Sequence, residues 1–137
     1  MSNGERPPIA GNWERTFVTN TGPWSVGEIF MDRDASRYCL QIKPEHCNAT
    51  GPMHGGAMAT FLDGHGAVVI PLNEDGSNHT PTVSLHVDFL APPVAGDWLV
   101  ADVELVKTTR TMIFTQAIAR VGERVMARSH AIYRNNL

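Results

Sequence analysis

The apolar run over residues 56–72 constrains this chain more than any other segment, because Ala57, Met58, Ala59, Phe61, Leu62, Ala67, Val68, Val69 and Ile70 leave it almost no polar face. A helix of that kind is wrapped by protein rather than laid on a surface, so the rest of the chain must enclose it. Asp63 stands in the middle of the run. Burying an ionised carboxylate costs several kcal/mol unless it is paired or its pKa rises, so Asp63 is expected to be firmly hydrogen-bonded or kept as a tuned acid or base. Gly64 and Gly66 each cost about 1 kcal/mol of helix propensity relative to alanine, which implies that another backbone or a ligand comes close. Upstream, Pro52 sets an entry turn and the Gly55-Gly56 pair leaves the first N–H groups of the helix uncovered. Such a helix start is a donor site for an oxyanion or a polarised carbonyl.

Around this helix the pattern changes to alternation. Val26, Glu28 and Phe30, then Arg37, Cys39, Gln41 and Lys43, predict two strands joined by a turn over 32–35. Residues 44–53 read as a loop, and 73–78 as a polar loop with strong turn chemistry. Strands are expected over 80–90, 97–108, 111–121 and 124–134, the last two joined as a hairpin across Gly122-Glu123. Two strands, one helix and four strands with short connections predict an α+β domain, a curved antiparallel sheet wrapped around one central helix. Residues 1–23, with Pro7, Pro8 and Gly11, read as an irregular N-terminal arm with a short turn near Trp13, and residues 24–137 as the domain.

Charge and cysteine content narrow the partners. A formal net charge of −3 argues against nucleic acid or an anionic membrane as the main partner. Local arginines and lysines can still hold a phosphate-bearing small molecule. The two cysteines, Cys39 and Cys47, make no disulfide framework, and no signal-peptide pattern precedes them, so a cytoplasmic location is expected. The apolar run is broken by Asp63, Gly64, His65 and Gly66 and falls short of the roughly 18 to 20 residues of a membrane helix.

Asn48, His54-Gly55-Gly56 six residues on, and an acid eight residues after Gly55 resemble the active-site signature of hotdog-fold acyl-CoA thioesterases of the PaaI-like and 4-hydroxybenzoyl-CoA thioesterase group. The segment Thr82-Val-Ser-Leu-His-Val-Asp-Phe-Leu-Ala-Pro92 resembles that family's next strand, and Gly96-Asp97 its following turn. This resemblance, which covers residues 24–133, implies the hotdog fold, an acyl-CoA substrate with an aromatic or medium-chain acyl group, and no cofactor. It also implies a homodimer at least, extended to a homotetramer as a dimer of dimers, with each site built from two subunits.

Carried onto this sequence, the resemblance gives Gly55 N–H the thioester carbonyl and Asn48 the carbonyl or the attacking water. His54 orients the loop or the carbonyl, Asp63 acts as nucleophile or general base, and Thr82 holds water near the acid. Each has a plainer reading: Asp63 as a cap, His54 as a helix-entry residue, Thr82 as an ordinary β-branched strand residue. Phe61, Leu62, Met58 and Trp98 are candidates for the acyl pocket, and Gly56, at the helix start, for substrate binding. Lys107 and Arg110, flanking Thr108 and Thr109, and Arg128 are candidates for its phosphates. Some relatives carry a hydroxyl or amide where this chain has Ala67, and His65 could compensate.

Spacing adds a mechanical requirement. Eight helical residues span roughly 12 Å, so a carbonyl at Gly55 is out of reach of Asp63 on the same helix. Two such helices meeting antiparallel about a two-fold axis bring the acid of one to the start of the other, and Gly64, Gly66 and Ala67 permit the approach. His46, Cys47, His54, Asp63 and His65 are of metal-ligand type, but their spacing fits no compact motif, so no metal is expected. A Cys47–His46 nucleophile pair lacks an evident third group. Two other functions remain open: a non-catalytic acyl-CoA-binding hotdog protein, and a hotdog dehydratase or hydratase, whose motifs are absent.

Overall fold

The computed structural model describes residues 6–17, 25–71 and 80–135. In chain order the elements are β1 (Glu14–Phe17), β2 (Glu28–Asp32), β3 (Arg37–Gln41), a 3-10 turn (Pro44–His46), α1 (Gly55–Leu62), α2 (Gly66–Val69), β4 (Thr82–Phe89), β5 (Trp98–Thr108), β6 (Met112–Val121) and β7 (Arg124–Arg134). The seven strands form one sheet in the order β1-β2-β3-β5-β6-β7-β4, and every neighbouring pair is antiparallel. This is the curved sheet and central helix of the hotdog fold.

The inner face explains why the sheet closes on the helix. Alternate residues turn inward, and many are small: Ala101 on β5, Ala117 and Ala119 on β6, Ala127 and Ala131 on β7, all buried. Those alanines leave room for Met58, Phe61 and Leu62 of α1, each at most 3% exposed. Phe61 packs against the Tyr38 ring at 4.7 Å between centroids, and burying a side chain of that size contributes roughly 1.5–3 kcal/mol. A tight hairpin joins β6 to β7, with Gly122 at φ +60, a value that favours glycine.

The structure departs from the sequence reading at the central helix and in the N-terminal arm. The helix expected over 56–72 is broken: α1 ends at Leu62, residues 63–65 form a turn, and α2 restarts at Gly66. The break is built around Gly64, where a Cβ would lie 3.0 Å from the Phe61 carbonyl oxygen and 3.1 Å from the Tyr38 ring, so a tyrosine side chain, rather than the backbone or ligand expected, makes the close approach. Asp63 is accordingly the C-cap of α1 rather than an interior residue. In the stretch read as an irregular arm, Glu14–Phe17 forms a strand against β2, giving three strands before the helix among the described residues instead of two. Its side chains supply the reason, since Arg15 pairs with Glu28 and sits over the Phe30 ring. The polar loop over 73–78, the helix end at 72 and the arm boundary at 23–24 lie outside the described residues.

Candidate active site

The start of α1 is presented by a stitched loop. Cys47 bridges to Met53 and Pro52 to Val94, while Asn48 N–H donates to the Pro52 carbonyl at 2.8 Å and Gly51 turns the chain at φ +113. His54 is the N-cap: its Nδ1 accepts from Gly56 N–H at 2.9 Å, which leaves the imidazole proton on Nε2. The expectation that both glycine N–H groups stay open is thereby corrected. Gly56 N–H serves the cap, and Gly55 N–H, at the first helical position, has no acceptor within its own helix. Asn48 is exposed on the same loop, opposite Pro52.

Against Gly55 lies an apolar pocket of about 290 Å³ lined by residues that include Met53, Met58, Phe89, Leu90 and Pro93. Of the side chains expected at the acyl end, only Met58 reaches it. Phe61 and Leu62 point into the core, at 2% and 0% exposure, because the helix turns that face toward Tyr38 and the sheet. Trp98 packs edge-on against Phe30, in a separate cluster with Trp13. The sequence reading overlooked Phe89 and Leu90, whose 58% and 57% exposure marks them as apolar surface at the end of β4.

At the far end of α1, Thr82 Oγ1 donates to the Asp63 carboxylate, 2.9 Å from Oδ1 and 3.1 Å from Oδ2. Tyr133 donates to the Asp63 main-chain oxygen at 3.0 Å and lies 3.3 Å from Oδ1. Asp63 keeps solvent access in the single chain, unlike the buried acid expected, yet its pKa is raised: desolvation by the surrounding protein outweighs the opposing hydrogen bonds from Thr82 and Tyr133. That combination suits a carboxylate that must take up a proton.

A β-bulge places Thr82 there. Thr82 pairs with Tyr133 and Ser84 with Ile132, so Val83 is the extra residue on β4. Strict alternation would put Thr82 on the outer face with His86 and Asp88. The bulge moves it to the inner face, beside Tyr133 and over Asp63.

Other residues singled out from sequence have structural employment. His65 is fully buried, with Nδ1 2.7 Å from Thr115 Oγ1 and Nε2 2.7 Å from Ser129 Oγ. It is therefore unable to substitute for a water-holding group at Ala67. Burial first, and then His130, lowers its pKa to about 4 and keeps it neutral. His46 accepts from Lys43 N–H at Nδ1 and contacts the Val26 carbonyl through Nε2, and Cys47 donates to the Lys43 carbonyl, so these two neighbours form no dyad. Burial pushes the Cys39 thiol up to about 12. Arg128 is held on the outer face by Asp88 at 2.6 Å. Lys107 and Arg110 are exposed at the β5–β6 turn.

An antiparallel sheet closed on a central helix is the architecture of the hotdog thioester hydrolases. Residues 50–127 match the Thioesterase superfamily profile, and the chain belongs to that family. It is 30% identical to a Pseudomonas aeruginosa protein assigned provisionally as an esterase, over 79% of this chain and 83% of that one. It is 28% identical to human acyl-coenzyme A thioesterase 13, over 56% of this chain and 54% of that one, so the match spans about half of the human protein. Among solved structures, the Escherichia coli PaaI protein from the phenylacetic acid degradation operon superposes with a TM-score of 0.63 at 18% identity, covering 72% of this chain and 74% of that one.

Proposed function

We propose that this protein hydrolyses an aromatic or medium-chain acyl-CoA to the free acid and coenzyme A. The observation that carries the reading is the Asp63 carboxylate, raised in pKa yet held by Thr82, on the same helix that opens at Gly55 beside an apolar pocket. Gly55 N–H and the helix start take the thioester carbonyl oxygen, where negative charge develops. Asn48 orients the carbonyl or the water, and His54 fixes the loop.

Two routes use the same groups. As a base, Asp63 takes a proton from water, the water oxygen bonds to the carbonyl carbon, and collapse expels the coenzyme A thiolate, which recovers the proton. As a nucleophile, a carboxylate oxygen bonds to that carbon, the thiolate leaves, and water opens the mixed anhydride.

The working unit in this reading is a homodimer, with homotetramers as dimers of dimers and a cytoplasmic location. The separation of roughly 12 Å along α1 requires a second copy to close each site. β4 is a sheet edge that exposes Val83 and Phe89, an arrangement that supports pairing with another chain. Thr108, Ile113, Tyr133 and Thr82 share one rung across four strands, so the turn bearing Lys107 and Arg110 lies at the Asp63 end of the sheet, which supports those two cations as phosphate contacts.

Mixing two dead variants tests the shared site. Asn48→Ala and Asp63→Ala should each be inactive in free-thiol release from a panel of acyl-CoA substrates. Refolded together, random pairing makes about half of the dimers mixed, each with one intact site, so activity should return to roughly a quarter of wild type. A mixture as inactive as its parents, despite verified subunit exchange, rejects the composite site; a wild type that releases no thiol from any acyl-CoA rejects the activity.

A further inference from the structure

We infer that Tyr133 is a positioning residue for Asp63, a rigid buried donor that fixes the carboxylate's direction and favours its ionised form, and this rests on Asp63 being the acid-base or nucleophilic group proposed above. The last carbonyls of α1 have no acceptor role left within the helix and need outside donors. Both tyrosines of the chain supply them. Tyr38, from β3, donates to the Phe61 carbonyl at 2.6 Å, and Tyr133, from β7, donates to the Asp63 carbonyl at 3.0 Å. Only Tyr133 also reaches the carboxylate, at 3.3 Å from Oδ1, so its single proton is shared between the two Asp63 oxygens.

Tyr133 and Thr82 face each other across β7 and β4, so the bulge at Val83 sets two hydroxyls on one rung against one carboxylate. They differ in kind. Thr82 is exposed on an edge strand and its hydroxyl can swing toward water or substrate, whereas Tyr133 is 3% exposed and packed on all sides. Burial, and then the nearby Asp63, push the Tyr133 phenol well above its ordinary range, so it remains a protonated donor at every working pH. Tyr133 leaves Oδ2 as the less engaged oxygen, contacted only by Thr82 among the described residues. The titratable groups around Asp63 among those residues are the Tyr38 and Tyr133 phenols and the neutral His65 imidazole. No cation is hydrogen-bonded to Asp63 there, so hydroxyl donors are what favour its charged form.

The carboxyl of Asp63 can be followed by carbon-13 NMR across a pH titration of the full-length protein, without substrate. Tyr133→Phe should raise its midpoint by about half a unit to one unit, less than the full worth of a hydrogen bond to a charged group because the 3.3 Å contact is long and its proton is shared with the main-chain oxygen. The acid limb of kcat should move up by the same amount, with kcat at its plateau lower by roughly ten-fold and KM within about two-fold, since misorientation acts on the chemical step. Tyr38→Phe removes a carbonyl bond alone and should leave the Asp63 midpoint in place. If Tyr133→Phe fails to fold, 3-fluorotyrosine at position 133, a stronger donor of the same shape, should lower the midpoint instead. An Asp63 midpoint that stays fixed in the folded Tyr133 variant, whatever its loss of Tm, overturns the inference. A shifted midpoint in a protein that hydrolyses no thioester retains the Tyr133 contact and overturns the function, so the two failures are distinguishable.

Discussion

The two faces of this sheet treat ionisable groups in opposite ways. On the inner face Asp63 is held by Thr82 and Tyr133, and His65 by Thr115 and Ser129, so each has neutral hydroxyl partners. On the outer face Asp88 accepts from Arg128 and lies 2.9 Å from His86 Nε2, Asp102 pairs with Arg120, and the His86 and His130 rings stack at 4.7 Å. The consequence shows in Asp63 and Asp88. Desolvation raises Asp63, while Arg128 first and His86 second hold Asp88 below the usual carboxylate range. Counting hydrogen bonds does not predict which way a carboxylate shifts; the charge of the donors and the desolvation by surrounding protein do.

The comparison breaks most visibly in turnover. Asp63→Asn should lower kcat by about 10² to 10⁴, the usual worth of a positioned acid-base group, while Asp88→Asn should stay within about two-fold. Steady-state kinetics on the two variants checks this, and equal losses would erase the distinction between the faces. Because the folded pKa of Asp63 is raised, its stabilising contribution is present below the ordinary carboxylate range and lost as pH rises through the raised value. The Asn variant should therefore melt no lower than wild type at pH 7.

His65 sharpens the contrast through stability. Its folded pKa of about 4 lies below the ordinary 6.5, so its contribution is complete above 6.5 and declines as pH falls from 6.5 to about 4. The loss across that window is about 3 kcal/mol by linkage. Urea titrations at half-unit pH steps should show this decline in wild type and a flatter profile in His65→Gln, which keeps a donor and an acceptor without a charge to gain.

The smallest effect belongs to the outer face. Arg120→Gln should cost under about 1 kcal/mol, because its partner Asp102 is exposed and solvent screens the pair. The same urea measurement should find that cost shrinking further at high salt. A loss as large as the His65 window would mean that the outer face carries stability as well as charge.

Much of the site could be read along the chain because its chemistry is local. The glycine pair after His54 announces a helix start, Asp63 stands out by its apolar neighbours, and the alternation after the helix gives strands within a residue or two of β5, β6 and β7. Thr82 came from the family resemblance alone, since a threonine in a strand is unremarkable by itself. Tyr133 had no signal at all: it is 70 residues from Asp63, and only strand pairing brings the two together.

The sequence by itself determined the strands from β2 onward, where the helix begins and which carboxylate stands among apolar neighbours, because φ/ψ preference and the period of burial are properties of neighbouring residues. Only the tertiary structure decided that the helix breaks at Gly64 against Tyr38, that His54 consumes the Gly56 N–H, and that one extra residue at Val83 turns Thr82 inward. Those outcomes depend on register and close packing between segments far apart in the chain. A one-residue slip in pairing reverses the face of every side chain beyond it without altering the sequence pattern of either strand.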